Sequence, residues 1–109
     1  MISGDAIRGY IDLIVLTLLQ DRPSYAYELA KTITEVAAGE YTIKQTTLYS
    51  ALKRLEATGL VSSYADISAS GKPRTYYRLT DAGAAHLTDK LVEWEDTKTL
   101  IDRFAQGHR

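Results

Sequence analysis

With 109 residues, 45% of them hydrophobic, and a formal net charge of -1, the chain has room for one domain with a modest core. It contains no run near the roughly 18 to 20 apolar residues of a membrane-spanning helix. Cysteine is absent, which excludes disulfide frameworks and thiol nucleophiles, and no charged leader precedes an apolar run and a small-residue cleavage site, so a cytoplasmic location is expected.

The first predicted helix covers residues 5–20 and is apolar on two sides. Ile7, Ile11, Ile14 and Leu18 form one stripe, expected to pack on the domain core; Ala6, Tyr10, Leu13 and Thr17 form another, expected to meet a partner chain. Asp21-Arg22-Pro23 ends this helix, and Ser24 is placed to cap the next. There Ala26, Leu29, Ala30, Ile33, Val36 and Ala37 keep helical period up to Gly39. Residues 41–43 read as a short strand, and Thr42 with Gln45 has the spacing of a capping box, which leaves the next boundary open around Lys44.

Residues 46–58 form an amphipathic helix. Leu48, Leu52 and Leu55 share one stripe, while Thr46, Thr47, Tyr49, Ser50, Lys53 and Arg54 face outward, with no acidic residue before Glu56. Arg and Lys on such a face can contact guanine edges or phosphates, and Thr and Ser hydroxyls can contact either, as a helix in a DNA major groove requires. Gly59 supplies a left-handed stop. Residues 60–67 then read as a strand with Val61, Ser63, Ala65 and Ile67 on one side, 68–73 as a turn, and 74–79 as a returning strand. Lys72 and Arg74 fall at the hairpin tip, where they can grip phosphates beside a helix in the groove.

The last element spans about residues 81–106, with Thr80 as N-cap. Ala84, Leu87, Leu91, Trp94, Lys98, Ile101 and Ala105 recur at alternating spacings of three and four, the pattern of a helix-helix seam, and Leu100 and Phe104 widen it. At about 35 to 40 Å, such a helix outruns so small a globule and is expected to dock on a second subunit. The dimer interface is assigned to Tyr10, Leu87, Leu91, Trp94, Ile101 and Phe104.

Overall charge, at -1, does not favour nucleic acid, but its distribution does. Residues 44–78 hold six basic side chains against two acidic, or +4; residues 1–43 hold three against six, or -3, and residues 79–109 hold four against six, or -2.

The run from Tyr25-Ala26-Tyr27-Glu28-Leu29 through Thr47-Leu48-Tyr49, Leu52-Lys53-Arg54-Leu55-Glu56 and Gly59-Leu60 to Gly71-Lys72-Pro73-Arg74, Tyr76-Tyr77-Arg78-Leu79-Thr80 and Gly83 resembles the PadR family of winged-helix transcriptional repressors, over roughly residues 10–84. The short chain with one C-terminal helix is similar to the branch that includes multidrug-sensing repressors. The resemblance implies a mainly α fold with a small β-hairpin: a winged helix-turn-helix over residues 1–80 and a dimerisation helix over 81–109, forming one unit. It further implies a homodimer that covers an inverted repeat in double-stranded DNA and is released by an aromatic effector. DNA contacts fall to Tyr25, Lys44, Gln45, Thr46, Thr47, Tyr49, Ser50, Lys53, Arg54, Lys72 and Arg74. Trp94 matches the Trp on which the multidrug-sensing relatives stack planar compounds, with Ala6, Gly9, Leu13 and Thr17 as walls. Lys98 stands where those relatives carry an acid, which implies neutral or anionic ligands, or a channel too tight for a drug-sized one. Ala26, Thr46 and Ser50 depart from a frequent Gly, Gly and Pro, so the operator sequence does not carry over.

Two other classes compete with this reading. An enzyme is disfavoured: His86 and His108 are the only histidines and no metal or cofactor motif accompanies them, nor is there a phosphate-binding glycine loop or nucleophile elbow. Tyr25, Tyr27, Tyr76 and Tyr77 suit core packing and helix joints. A winged-helix protein-protein adaptor is the stronger rival, but it would more often show apolar anchors where this chain shows cations and hydroxyls.

Overall fold

The computed structural model describes residues 2–107; His108 lies outside them. The N-terminal region is two pieces rather than one helix. α1 (Gly4–Ile7) runs into a 3₁₀ turn (Arg8–Tyr10) and then α2 (Ile11–Asp21). Ser3 Oγ accepts the Ala6 amide at 3.1 Å and starts α1, a signal the apolar pattern hid. Arg22, which precedes Pro23, is extended at φ -168°, as proline demands of its neighbour, and α2 ends there. The expected core stripe is rotated: Ile11, Val15, Leu16 and Leu19 are buried, whereas Ile14 and Leu18 are half-buried.

β1 (Ser24–Tyr25) pairs antiparallel with Tyr76 and Tyr77, so Ser24 is a strand residue and not a helix cap. Its hydroxyl is hydrogen-bonded to Glu28 Oε1 at 2.6 Å instead. α3 (Ala26–Val36) buries Ala26, Leu29 and Ile33, but Val36 at its end is 74% exposed. Residues 41–43 form no strand; Ile43 is buried there as a side chain alone. α4 (Gln45–Ala57) buries Leu48, Ala51, Leu52 and Leu55. Its N-cap, Lys44, makes no side-chain capping bond, so the Thr42–Gln45 capping box does not form. Gly59, at φ +78°, closes its other end: the amides of Gly59 and Leu60 bond back to the carbonyls of Glu56 and Leu55 at 3.0 and 2.9 Å.

β2 (Val61–Ile67) and β3 (Pro73–Leu79) pair in full register, giving a three-stranded sheet of order β1-β3-β2. Period-two geometry puts Val61, Tyr77 and Leu79 toward the core and Tyr64, Tyr76 and Arg78 on the other face. Tyr76 therefore does not pack in the core as expected; it stacks on Tyr64 at 5.6 Å and meets Tyr25 edge-on at 5.3 Å.

α5 (Asp81–Ala105) is about 37 Å long at 1.5 Å per residue, and it accounts for much of the 59 Å longest dimension. Only Gly83 and Leu87 along it are buried. Leu87 is completely enclosed by the protomer's own core, which corrects its assignment to an interface.

Thr80 joins α5 to the turn after α4. Its Oγ1 donates to the Gly59 carbonyl at 2.7 Å and accepts the Gly83 amide at 3.0 Å. Thr80→Val keeps the shape and removes both bonds, so a loss of about 1 kcal/mol is expected, or roughly 4 to 8 °C in melting temperature, read by thermal denaturation.

Candidate nucleic-acid interface

The exposed side of α4 presents Gln45, Thr46, Thr47, Tyr49, Ser50, Lys53 and Arg54 while its four apolar residues anchor it below. Its first turn carries no acidic residue, whereas α2, α3 and α5 begin with Asp12, Glu28 and Asp81. The partial positive charge of the helix N-terminus is thus left for an external anion. Lys44, Lys53 and Lys72 make no ion pair among the described residues. Arg54 is different: Nε donates to Asp12 Oδ2 at 3.2 Å and Nη2 donates to Oδ1. That hydrogen-bonded partner raises the pKa of Arg54 above the usual arginine value, against some opposing desolvation.

Two grooves flank this face. One, of about 360 Å³, lies between the start of α4 and the strands, lined by Tyr25, Tyr27, Gln45, Tyr49, Arg74 and Tyr77 among others. Arg74 sits in it half-buried, its guanidinium 5.1 Å from the Tyr25 ring centre and its Nε without a hydrogen-bond partner. An acceptor such as a phosphate oxygen would satisfy that donor. Tyr27 is 62% exposed here, although its sequence neighbourhood suggests packing at a helix joint. It lies in the first turn of α3, on the side away from buried Ala26, Leu29 and Ile33. The second groove, of about 830 Å³, runs between the N-terminal segment and the Thr46, Thr47, Ser50 and Arg54 side of α4.

The β2–β3 hairpin carries Lys72 at its tip. Ser68, buried in the turn, sets that tip: its amide donates to the Lys72 carbonyl and its carbonyl accepts the Gly71 amide, both at 2.8 Å. Tyr25, Gln45, Tyr49 and Arg74 come together along one groove, whereas Lys72 at the hairpin tip does not line it.

The residues assigned to an effector are grouped less tightly. Trp94 is half-buried, its ring 5.1 Å from that of Tyr10 and its face 5.9 Å from Lys98 Nζ. Lys98 also bonds Glu95 at 3.0 Å in a pair exposed on both sides, which offsets its charge only in part. Ala6, Gly9 and Thr17 are exposed, Leu13 packs partly on the core, and the Thr17 hydroxyl is taken up by the Leu13 carbonyl at 2.7 Å. Among the described residues no group of three or more His, Cys, Asp and Glu side chains is placed to hold a metal, and no helix is long and apolar enough to cross a membrane.

The model of the transcriptional regulator PadR-like family matches residues 15–89. An uncharacterised protein of Lysinibacillus sphaericus is 38% identical, with 98% of each chain covered. Among solved structures, a transcriptional regulator of Clostridium thermocellum superposes with a TM-score of 0.86 at 46% identity, covering 95% of this chain and 98% of the other. A PadR family transcription regulator of Clostridium difficile gives 0.78 at 37%, covering 88% and 98%. The chain belongs to the PadR-like family of transcriptional regulators, as a winged-helix DNA-binding regulator and not an enzyme.

Proposed function

We propose that this protein is a homodimeric repressor whose two α4 helices enter successive major-groove faces of an inverted repeat, with the hairpins gripping the flanking backbone. The observation that carries this reading is the α4 face: cations and hydroxyls, an acid-free first turn and a neighbouring groove holding the unsatisfied Arg74 Nε. Dimerisation is supported by the exposure of Leu91, Val92, Leu100, Ile101 and Phe104, between 37 and 63%, on a helix that buries little within its own chain. Two recognition helices set about 34 Å apart match one turn of duplex.

Lys53 tests the reading. Lys53→Ala is expected to weaken binding across all duplex sequences and to lower the slope of log affinity against log salt by about 0.9 for each phosphate no longer neutralised, near 1.8 for a dimer, as read by fluorescence anisotropy. An adaptor that uses this surface for protein would show a flat salt response in both forms.

Release by an effector is part of the same proposal. A planar aromatic compound stacked on Trp94 would alter the spacing of the two α4 helices, and can do so only as far as it prefers the non-binding spacing. Quenching of Trp94 fluorescence reads such binding; stronger quenching by anionic than by cationic dyes is expected from Lys98, and equal quenching would remove that charge preference.

A further inference from the structure

The pair between Asp12 and Arg54 joins α2 to α4 across 42 residues of sequence, and it occupies two of the Arg54 nitrogens. Both side chains remain reachable, 53% exposed for Arg54 and 40% for Asp12. Arg54 shares its groove with Thr46, Thr47 and Ser50, the hydroxyl-bearing side of α4, so its guanidinium lies along the surface assigned to DNA. A cation there adds to backbone affinity only if its charge is available, because each net charge delivered to a phosphate releases a counterion. Paired with a carboxylate, Arg54 delivers close to none.

We propose that Asp12 is an affinity-setting residue: its carboxylate holds Arg54 against α2 and withholds that charge from the duplex. The proposal rests on the reading of α4 as the DNA-contacting helix. It gives the protein a reason to keep an acid beside its recognition face. A repressor that must release DNA gains from a moderate grip, and Asp12 neighbours Leu13 on the helix that would border an effector. Movement of α2 relative to α4 would lengthen the pair and change the charge offered to DNA, without any change in the residues that touch bases.

Asp12→Asn removes the charge and keeps a hydrogen-bonding side chain. With the full-length protein and a duplex it retains, anisotropy across a salt series is expected to show roughly tenfold tighter binding at 0.1 M salt and a slope steeper by about 0.9 per protomer, near 1.8 for a dimer. Adding Arg54→Gln to that variant should abolish the gain. A thermal melt is run on each variant, with Asp12→Ser as a second carboxylate-free form should the first be poorly folded. A purely structural pair would move the melting temperature and leave the slope unchanged; that result, or a gain that survives Arg54→Gln, overturns the proposal while the DNA-binding reading stands. If the wild-type protein binds no duplex at any salt concentration, both fall together.

Discussion

Leu91→Glu combined with Ile101→Glu is expected to leave the protein monomeric at micromolar concentration and to lower its affinity for an inverted-repeat duplex by roughly 100- to 10,000-fold. The reason lies in the shape of α5. A helix of 25 residues buries only Gly83 and Leu87 in its own chain, and its later turns leave Leu100 and Ile101 at least half exposed. Exposed apolar side chains that recur along a helix its own chain does not cover, as Leu91 and Ile101 do on the Trp94 side, are the mark of an interaction surface. Two glutamates at its centre would leave buried carboxylates without partners in the associated form and cost several kcal/mol per subunit pair. Because both changed side chains are solvent-exposed in the protomer, its fold should persist, with an unchanged circular dichroism spectrum. Each monomer would then hold only one half-site, and the gain from linking two binding events would vanish. Sedimentation velocity and anisotropy measured on the same samples check both halves of this expectation.

Gly83→Ala is the second large effect, and propensity alone predicts its sign wrongly. Ala is favoured over Gly inside a helix by about 1 kcal/mol. At this position an added Cβ would come within 2.0 Å of the Leu60 carbonyl oxygen and 2.8 Å of a Leu79 methyl carbon. The first is backbone and cannot rotate aside. α5 would have to lift off the turn that follows α4, straining the Thr80 bonds to Gly59 and Gly83 and exposing Leu87, so overpacking should outweigh the propensity gain. A net loss of about 2 to 3 kcal/mol is expected, roughly 10 to 20 °C in melting temperature for a domain of this size. Unchanged or raised stability would mean that α5 can move away from Leu60 at little cost.

α4 was legible because its signal is local: Leu48, Leu52 and Leu55 repeat at helical spacing, and the basic and hydroxyl-bearing residues fill the other side. The same holds for the Thr80 cap and for the hairpin, where the turn residues around Gly71 separate two strands of high β-propensity. What escaped depends on distant parts of the chain. β1 is two residues long and exists only through pairing with Tyr76 and Tyr77. That pairing moves Ser24 out of its expected capping role. The depth of Leu87 depends on where α5 crosses the core, which a seam pattern does not encode. Likewise, helical period makes Arg54 an outward cation, and so it is, but Asp12 reaches it from another helix. The grouping of Tyr25 and Arg74 with the start of α4 was legible as well, since all three line one groove.

The central claim is that two copies of this chain grip one duplex through α4 and the hairpin. Its most direct test is to isolate the DNA retained by the purified protein, sequence it, and measure stoichiometry and salt dependence on the recovered duplex. The account predicts an inverted repeat with half-sites about ten base pairs apart, two protomers per duplex, and an affinity that falls steeply as salt rises. Retention of no duplex by a protein that stays monomeric, or binding that is indifferent to salt, would contradict it.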